Sequence, residues 1–237
     1  MSVLEDTTAV ILAGGLGTRL RTVVHDRPKV MALVAGRPFM THLFDQLQAA
    51  GIRHAVLCTG YLATTIRDEL GNRYRGITLD YSMEEMPLGT GGALRHAASH
   101  LRGETILVMN GDSYCYCDLG AFFAGHAASK MRAGMALAEV DDVSRFGAVI
   151  TDDNGRVHGF TEKGQYDGPG WINAGLYLLN TEIIYSIADG QQVSLEREII
   201  PDLIPPGIFA YRCPGPFIDI GIPEEYLRAQ SFFQFSE

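Results

Sequence analysis

The stretch Val10–Leu20, VILAGGLGTRL, decides the fold. An apolar run ends in Ala13, Gly14, Gly15 and Gly17, and Thr18 and Arg19 follow before Leu20. Glycines carry no Cβ, so they let backbone approach a ligand closely and leave several N–H groups free to converge on one anion. The loop therefore reads as a phosphate cradle at the end of a buried strand. Spacing excludes two common cradles. A dinucleotide loop G-x-G-x-x-G would need glycine where Leu20 stands, and no segment supplies the G-x-x-x-x-G-K-[ST] of a P-loop.

Outward from the loop, short apolar runs at Thr8–Ala13, His54–Thr59, Ile77–Tyr81 and Thr105–Met109 predict strands covered on both faces. Between them, Phe39, Leu43, Phe44 and Leu47, then Leu62, Ile66 and Leu70, then Leu94, Ala97, Ala98 and Leu101 recur at helical spacing, each set ending before a glycine. Alternating strand and helix predicts an α/β fold with a parallel sheet. After about residue 133 the pattern changes to strand candidates at Gly134–Val140, Gly147–Thr151, Val157–Thr161 and Ile172–Leu179, with DDNGR from Asp152 as a hairpin turn. A helix near Leu195–Ile200, a strand near Ile208–Arg212 and a last helix opened by Pro223 follow. No linker divides residues 1–237. The reading is one domain in two halves, to about residue 133 and from about 134, the second adding antiparallel elements that cover the carboxyl ends of the parallel strands.

Of the 237 residues, 46% are hydrophobic and 20% charged, the balance of a globular chain with a sizeable core. A net charge of −9 argues against nucleic-acid or anionic-membrane partners. The N-terminus MSVLEDTT has neither the basic nor the apolar region of a signal peptide, which predicts a cytoplasmic protein. Cys58, Cys115, Cys117 and Cys213 lack zinc-finger spacing and read as structural thiols.

Because cations are scarce, those near the loop stand out. Arg19 offers a planar fork for phosphate oxygens, and Lys29, in RPKVM, adds a point charge that reaches the same anion if the chain folds back over the sheet. Together LAGGLGTRL and the downstream Pro28–Lys29 resemble the signature of the sugar-1-phosphate nucleotidyltransferases. The order of EEMPLGTGGAL, MNGDS, RFGAV, FTEKG, WINAGLYLL, SLEREIIP and FIDIGIPEEY fits the same family over nearly the whole chain. VVHDRPK, GYLATTIRDELG and YRGITLDYSMEEMPLGTGGAL resemble most the D-glycero-α-D-manno-heptose 1-phosphate guanylyltransferases. Val30 and Leu33 replace prolines usual in that family, and Gly164 follows Lys163 where many relatives have proline; all three changes bear on loop stiffness.

The resemblance implies a Rossmann-like, GT-A-like fold, a mostly parallel mixed sheet flanked by helices with an added antiparallel sugar-binding portion. It implies transfer of a nucleoside monophosphate from a triphosphate to a sugar 1-phosphate, with Mg²⁺ as cofactor and a homodimer or tetramer as the assembly. Leu12, Ala13, Gly14, Gly15, Gly17, Thr18, Arg19, Glu84, Pro87, Gly89, Thr90 and Gly111 would then contact the nucleotide. Arg19 would hold the triphosphate and departing pyrophosphate, and Lys29 the α-phosphate. Lys163 would take the incoming sugar phosphate, with Gly147, Glu162, Asn173 and Glu196 at the sugar. Asp112 and Asp219, each expected at a strand end, would hold the metal, since Mg²⁺ takes few protein oxygens; turn aspartates are the alternative.

At the base, a carboxylate at Glu84 presents only acceptors, which suit the adjacent N1–H and N2–H of guanine and repel the carbonyl of thymine or uracil. Glu85 or neighbouring backbone is the other candidate reader. The expected activity is GTP-dependent guanylyl transfer to a heptose 1-phosphate. A mannose-1-phosphate guanylyltransferase, a glucose-1-phosphate thymidylyl- or uridylyltransferase, and a silent nucleotide-sugar-binding subunit are the alternatives. The apolar tail SFFQF, Ser231–Phe235, is expected either to dock on a second copy or to fold back.

Overall fold

The computed structural model describes residues 4–15, 17–60 and 62–233. β1 (Thr8–Leu12) lies within the main sheet and sends Ile11 to one apolar layer and Val10 to the other, as a strand covered on both faces must. The chain then makes a small hairpin, β2 (Leu33–Val34) and β3 (Arg37–Pro38), before α1 (Phe39–Ala49), whose Phe39, Leu43, Phe44 and Leu47 are fully buried. β4 (His54–Thr59), buried throughout, runs parallel to β1. α2 (Ala63–Leu70) is peripheral: it buries only Ile66, and Leu62, expected on its apolar face, is exposed in the left-handed conformation (φ 56°) before the first turn. β5 (Arg73–Tyr74) and β6 (Ile77–Met83) form the edge next to β4. α3 (Gly89–His96) and β7 (Thr105–Asn110) follow, with β7 parallel to β1 on its other side.

Past β7 come β8 (Ser113–Cys115), α4 (Leu119–Ser129), β9 (Ala133–Val140), the hairpin β10 (Val149–Thr151) and β11 (Val157–Phe160), then β12 (Gly170–Asn180) and α5 (Thr181–Tyr185). A widened turn at Leu195–Ile199 leads into α6 (Ile200–Leu203), and β13 (Ile208–Cys213), β14 (Phe217–Asp219) and α7 (Pro223–Phe232) complete the chain. The main sheet has eight strands in the order β13-β9-β12-β7-β1-β4-β6-β5. β12 is antiparallel to both β7 and β9, and β13 is parallel to β9, so a mixed sheet flanked by helices extends through both halves.

The second half thus departs in detail from the sequence expectation. β9, β12 and β13 extend the main sheet, because residues 174–179 are apolar and buried without interruption and need neighbours on both edges and both faces. β10–β11 and β8–β14 form separate antiparallel pairs, as β2–β3 does earlier in the chain. α4 has no counterpart in the predicted elements. Its buried Leu119, Phe122, Phe123 and His126 share the helix with alanines and glycines, which blurs the apolar–polar contrast; its one clear sign is Asp118, whose side chain accepts from Ala121 N at 2.9 Å. The tail folds back: Phe233 stacks on His42 with centroids 3.7 Å apart and meets Tyr114 edge-on at 4.9 Å. Gln234 and Phe235 of the SFFQF segment lie outside the described residues.

Candidate active site

The glycine loop leaves β1 at the carboxyl end of the parallel strands, where ligands of open α/β sheets bind. Ala13 N donates to Cys58 O at 2.8 Å, extending the ladder with β4, and Gly111 N donates to Leu12 O at 2.9 Å. A Cβ on Gly111 would lie 2.7 Å from Leu12 O, so the strand-end turn into Asp112 demands glycine. Leu20 and Val24, just past the loop, pack with Ile218 and Ile220, which flank Asp219. Apolar packing thus fixes the first loop against the last strand.

These ends enclose a cavity of about 580 Å³. Leu12, Ala13, Gly14 and Gly15 form one wall, and Glu84, Pro87, Gly89 and Thr90 line it as well. Lys29, Asn110, Asp112 and Glu196 also line it. Gly111 is buried beneath, while Thr18 and Arg19 are exposed and do not line it.

Lys29, Asp112 and Asp219 converge at one place. Lys29 Nζ donates to Asp112 Oδ2 at 2.5 Å, and Ile220 N donates to Asp112 O at 2.9 Å. β14 pairs with β8, with Asp219 opposite Ser113, which brings the second carboxylate alongside the first. Gly221 N donates to Asp219 Oδ1 at 2.6 Å, and a Cβ on Gly221 would lie 3.2 Å from Lys29 Nζ. Burial holds the Asp219 carboxyl above its ordinary range; the charge of Asp112 adds to this, and Lys29 opposes it. Among the described residues no three or more His, Cys, Asp or Glu form a metal-ligating group. A pair of carboxylates whose like charges a dication would relieve suits a hard ion that fills its shell with water and phosphate oxygens.

Glu84 lines the cavity directly beside the glycine loop. Its Oε2 accepts from Leu88 N at 2.9 Å, and a Cβ on Gly14 would lie 3.4 Å from its Oε1. Burial raises its pKa. Glu85 also lines the cavity but is exposed. α3 starts at Gly89 (φ 70°), where a Cβ would lie 2.5 Å from Val193 O, so the 191–195 segment lies directly on the start of this helix. Thr90 Oγ1 donates to Glu196 Oε2 and accepts from Leu195 N, both at 2.8 Å.

With this geometry in view, residues 8–235 match the family described as Nucleotidyl transferase. The chain belongs to the nucleotidyl transferase family. It is 39% identical over 227 residues to a D-glycero-α-D-manno-heptose 1-phosphate guanylyltransferase of Aneurinibacillus thermoaerophilus, covering 95% of this chain and 98% of that one. A mannose-1-phosphate guanylyltransferase of Mycobacterium tuberculosis is 38% identical over 94% of this chain, which spans 63% of that protein. The solved structure of HddC from Yersinia pseudotuberculosis superposes with a TM-score of 0.85 at 36% identity, over 96% of this chain and 100% of that one, and that protein has also been solved with GMP-PN.

Within this nucleotidyl transferase the expected sugar-side residues are less gathered than the nucleotide-side ones. Of Gly147, Glu162, Lys163, Asn173 and Glu196, only Glu196 lines the cavity. Glu162 and Lys163 stand exposed in the turn after β11. Gly147 (φ 80°) packs under that turn, where a Cβ would lie 2.5 Å from Thr161 O. Asn173 is engaged at both ends, accepting from Gly175 N at 3.0 Å and donating to Tyr177 OH at 2.7 Å, so it pins the irregularity in β12. Asn110 and Gln192 line the cavity without having been singled out; Asn110 stands beside the glycine of MNGDS, while Gln192 has no sequence signal. The four cysteines are free and buried.

Proposed function

We propose that the chain transfers GMP from GTP to D-glycero-α-D-manno-heptose 1-phosphate, giving GDP-heptose and pyrophosphate. The observation that carries this is the pairing of Lys29 and Asp112 at a cavity lined by the glycine loop and Glu84, with Asp219 brought beside Asp112 by the β8–β14 pairing. The likeness to heptose 1-phosphate guanylyltransferases over nearly the full length of both chains supports the choice of substrates.

A sugar-phosphate oxygen forms a bond to the α-phosphorus, the α–β phosphoanhydride bond breaks, and its electron pair leaves on pyrophosphate. The reactants are both anions, so the chain must position them in line and neutralise developing charge. Lys29 meets the α-phosphate, and its pairing with Asp112 keeps the ammonium aimed into the cavity. Arg19 holds the triphosphate from the loop. Asp112 and Asp219 would hold Mg²⁺, which when bound neutralises phosphate charge. Gly147, Glu162, Asn173 and Glu196 form the sugar side, and Lys163 reaches the incoming phosphate when the turn after β11 folds in. Glu84, with Oε2 fixed by Leu88 N, offers acceptors to guanine N–H groups. The reading places the enzyme in the cytoplasm, where GTP is available and buried thiols stay reduced; no helix among the described residues is long and apolar enough to cross a membrane.

The resemblance to the Mycobacterium enzyme favours mannose 1-phosphate as a second acceptor. Pyrophosphate release with Mg²⁺, screened over GTP, dTTP, UTP, CTP and ATP against heptose, mannose and glucose 1-phosphates, tests both. Release with GTP and the heptose phosphate supports the reading. Release only with another pair replaces the substrate, and release with none replaces the enzyme by a nucleotide-sugar binder.

A further inference from the structure

Among the described residues the largest side chain buried completely is Tyr177, on β12. A phenol taken out of water needs partners for its oxygen and its proton. Asn173 Nδ2 donates to the oxygen at 2.7 Å, and the Glu196 carboxylate stands beside the same hydroxyl as the acceptor for its proton. Burial raises the pKa of Tyr177 and the charge of Glu196 adds to this, so the proton stays on the phenol.

The strand is bent to make this contact. Four residues apart in a regular strand, Asn173 and Tyr177 would stand about 13 Å from each other with their side chains parallel rather than converging. Pairing with β9 changes register between them, and Gly175 takes φ 73° there. A Cβ on Gly175 would lie 2.7 Å from Asn110 Nδ2, so glycine is required where the bent strand packs beside the end of β7. Gly175 N donates to Asn173 Oδ1 at 3.0 Å, which turns Nδ2 toward Tyr177. Bulges of this kind re-aim side chains next to functional sites.

Glu196 is held from its other side by α3. Thr90 Oγ1 gives its only proton to Glu196 Oε2 and accepts from Leu195 N, both at 2.8 Å. A carboxylate has about four acceptor positions, so two hydroxyls leave room for a donor from the cavity that Glu196 lines. Such a donor is a ligand O–H, and a sugar supplies several.

We propose that Tyr177 and Thr90 are positioning residues that fix Glu196 to accept from a hydroxyl of the acceptor sugar, and that the Thr90 side chain therefore serves the sugar rather than the nucleotide. This rests on the nucleotidyl-transfer reading and deepens it: one sugar hydroxyl meets a carboxylate set in place before it arrives, apart from the exposed turn that carries Lys163.

Titration calorimetry of GDP-heptose and GDP-mannose, with GMP as the reference, and steady-state kinetics of the whole protein with Mg²⁺ test this. Tyr177→Phe keeps the ring and removes the hydroxyl, and Thr90→Val does the same at a half-buried helix start, where folding is less at stake. Each weakens binding of the GDP-sugar and raises the KM for the sugar phosphate by about tenfold, while GMP affinity and the KM for GTP stay within about twofold. Thr90→Ser, which restores the hydroxyl, recovers most of the loss. In a Glu196→Ala background the same two substitutions add about twofold or less, because the group they hold is gone. A role in packing alone would lower the melting temperature without this split between sugar and nucleotide. Unchanged GDP-sugar affinity in both variants, an equal loss of GMP affinity, or full additivity with Glu196→Ala overturns the proposal. A wild-type protein that shows the expected GDP-sugar pattern yet releases no pyrophosphate from any substrate pair would instead overturn the catalytic reading and leave the positioning of Glu196 standing.

Discussion

On the proposed nucleotide side, Gly14, Glu84 and Lys29 line one cavity, whereas on the proposed sugar side Glu162 and Lys163 stand in an exposed turn after β11. The contrast follows from what carries each set. Gly14, Glu84 and Asp112 follow the ends of β1, β6 and β7, strands locked in one sheet, and short turns off a rigid sheet leave few conformations open; Lys29 is held by its bond to Asp112. Glu162 and Lys163 follow a two-stranded hairpin outside the main sheet, where Gly164 (φ 78°) and Gly168 (φ 99°) shape the turn. Sites assembled from such loops complete themselves when the ligand arrives, at a cost in binding energy. The triphosphate should therefore bind to a finished surface, and the sugar phosphate should order its own.

Substitutions on the two sides should separate cleanly. Asp112→Asn removes a carboxylate from the Lys29–Asp219 group and is expected to lower kcat by about 100-fold or more, roughly 2.7 kcal/mol of transition-state stabilisation; near-normal turnover at saturating Mg²⁺ would remove Asp112 from the chemistry. Lys163→Ala is expected to raise the KM for the sugar phosphate by about 30-fold while GTP binding is unchanged, the loss of one charge-assisted contact. If GTP affinity fell equally, the two sides would not be separable. Glu84→Gln should cut the GTP/dTTP ratio of kcat/KM by about tenfold with kcat nearly intact, because the amide turns one acceptor into a donor. An unchanged ratio would take base reading away from Glu84.

The smallest effect concerns stability rather than catalysis, and it lies under the nucleotide half. Burial pushes the pKa of His42 down to about 4, and Arg37 Nη2 donates to its Nδ1 at 2.8 Å, a contact that requires the neutral ring. The unfolded chain takes up this proton near pH 6.5 and the folded chain only near 4, so stability falls as pH drops through that window. Between pH 7 and 6 the loss from this group is roughly 0.5–1 kcal/mol. Paired thermal melts of wild type and His42→Gln should show a shallower decline in the variant; parallel declines would assign the acid sensitivity elsewhere.

Much of the proposed nucleotide side could be gathered from the sequence because each part has a local cause. Glycines at 14, 15 and 17 after an apolar run announce a cradle, Asp112 sits just past the end of β7, and Pro28–Lys29 follows the loop in a recognisable pattern. Asp219 was harder: its place beside Asp112 depends on β14 pairing with β8, a contact between residues about a hundred positions apart. The sugar side was less legible because side-chain direction in a turn is not encoded by spacing. Asn173 illustrates this, since its amide is used within β12 itself.

The most direct test of a prebuilt, guanine-selective nucleotide side is titration calorimetry of GTP and dTTP against the protein with Mg²⁺ and no sugar phosphate. The account predicts that GTP binds under these conditions and at least about tenfold more tightly than dTTP. Binding that appears only after a sugar phosphate is added, or equal affinity for the two triphosphates, would contradict it.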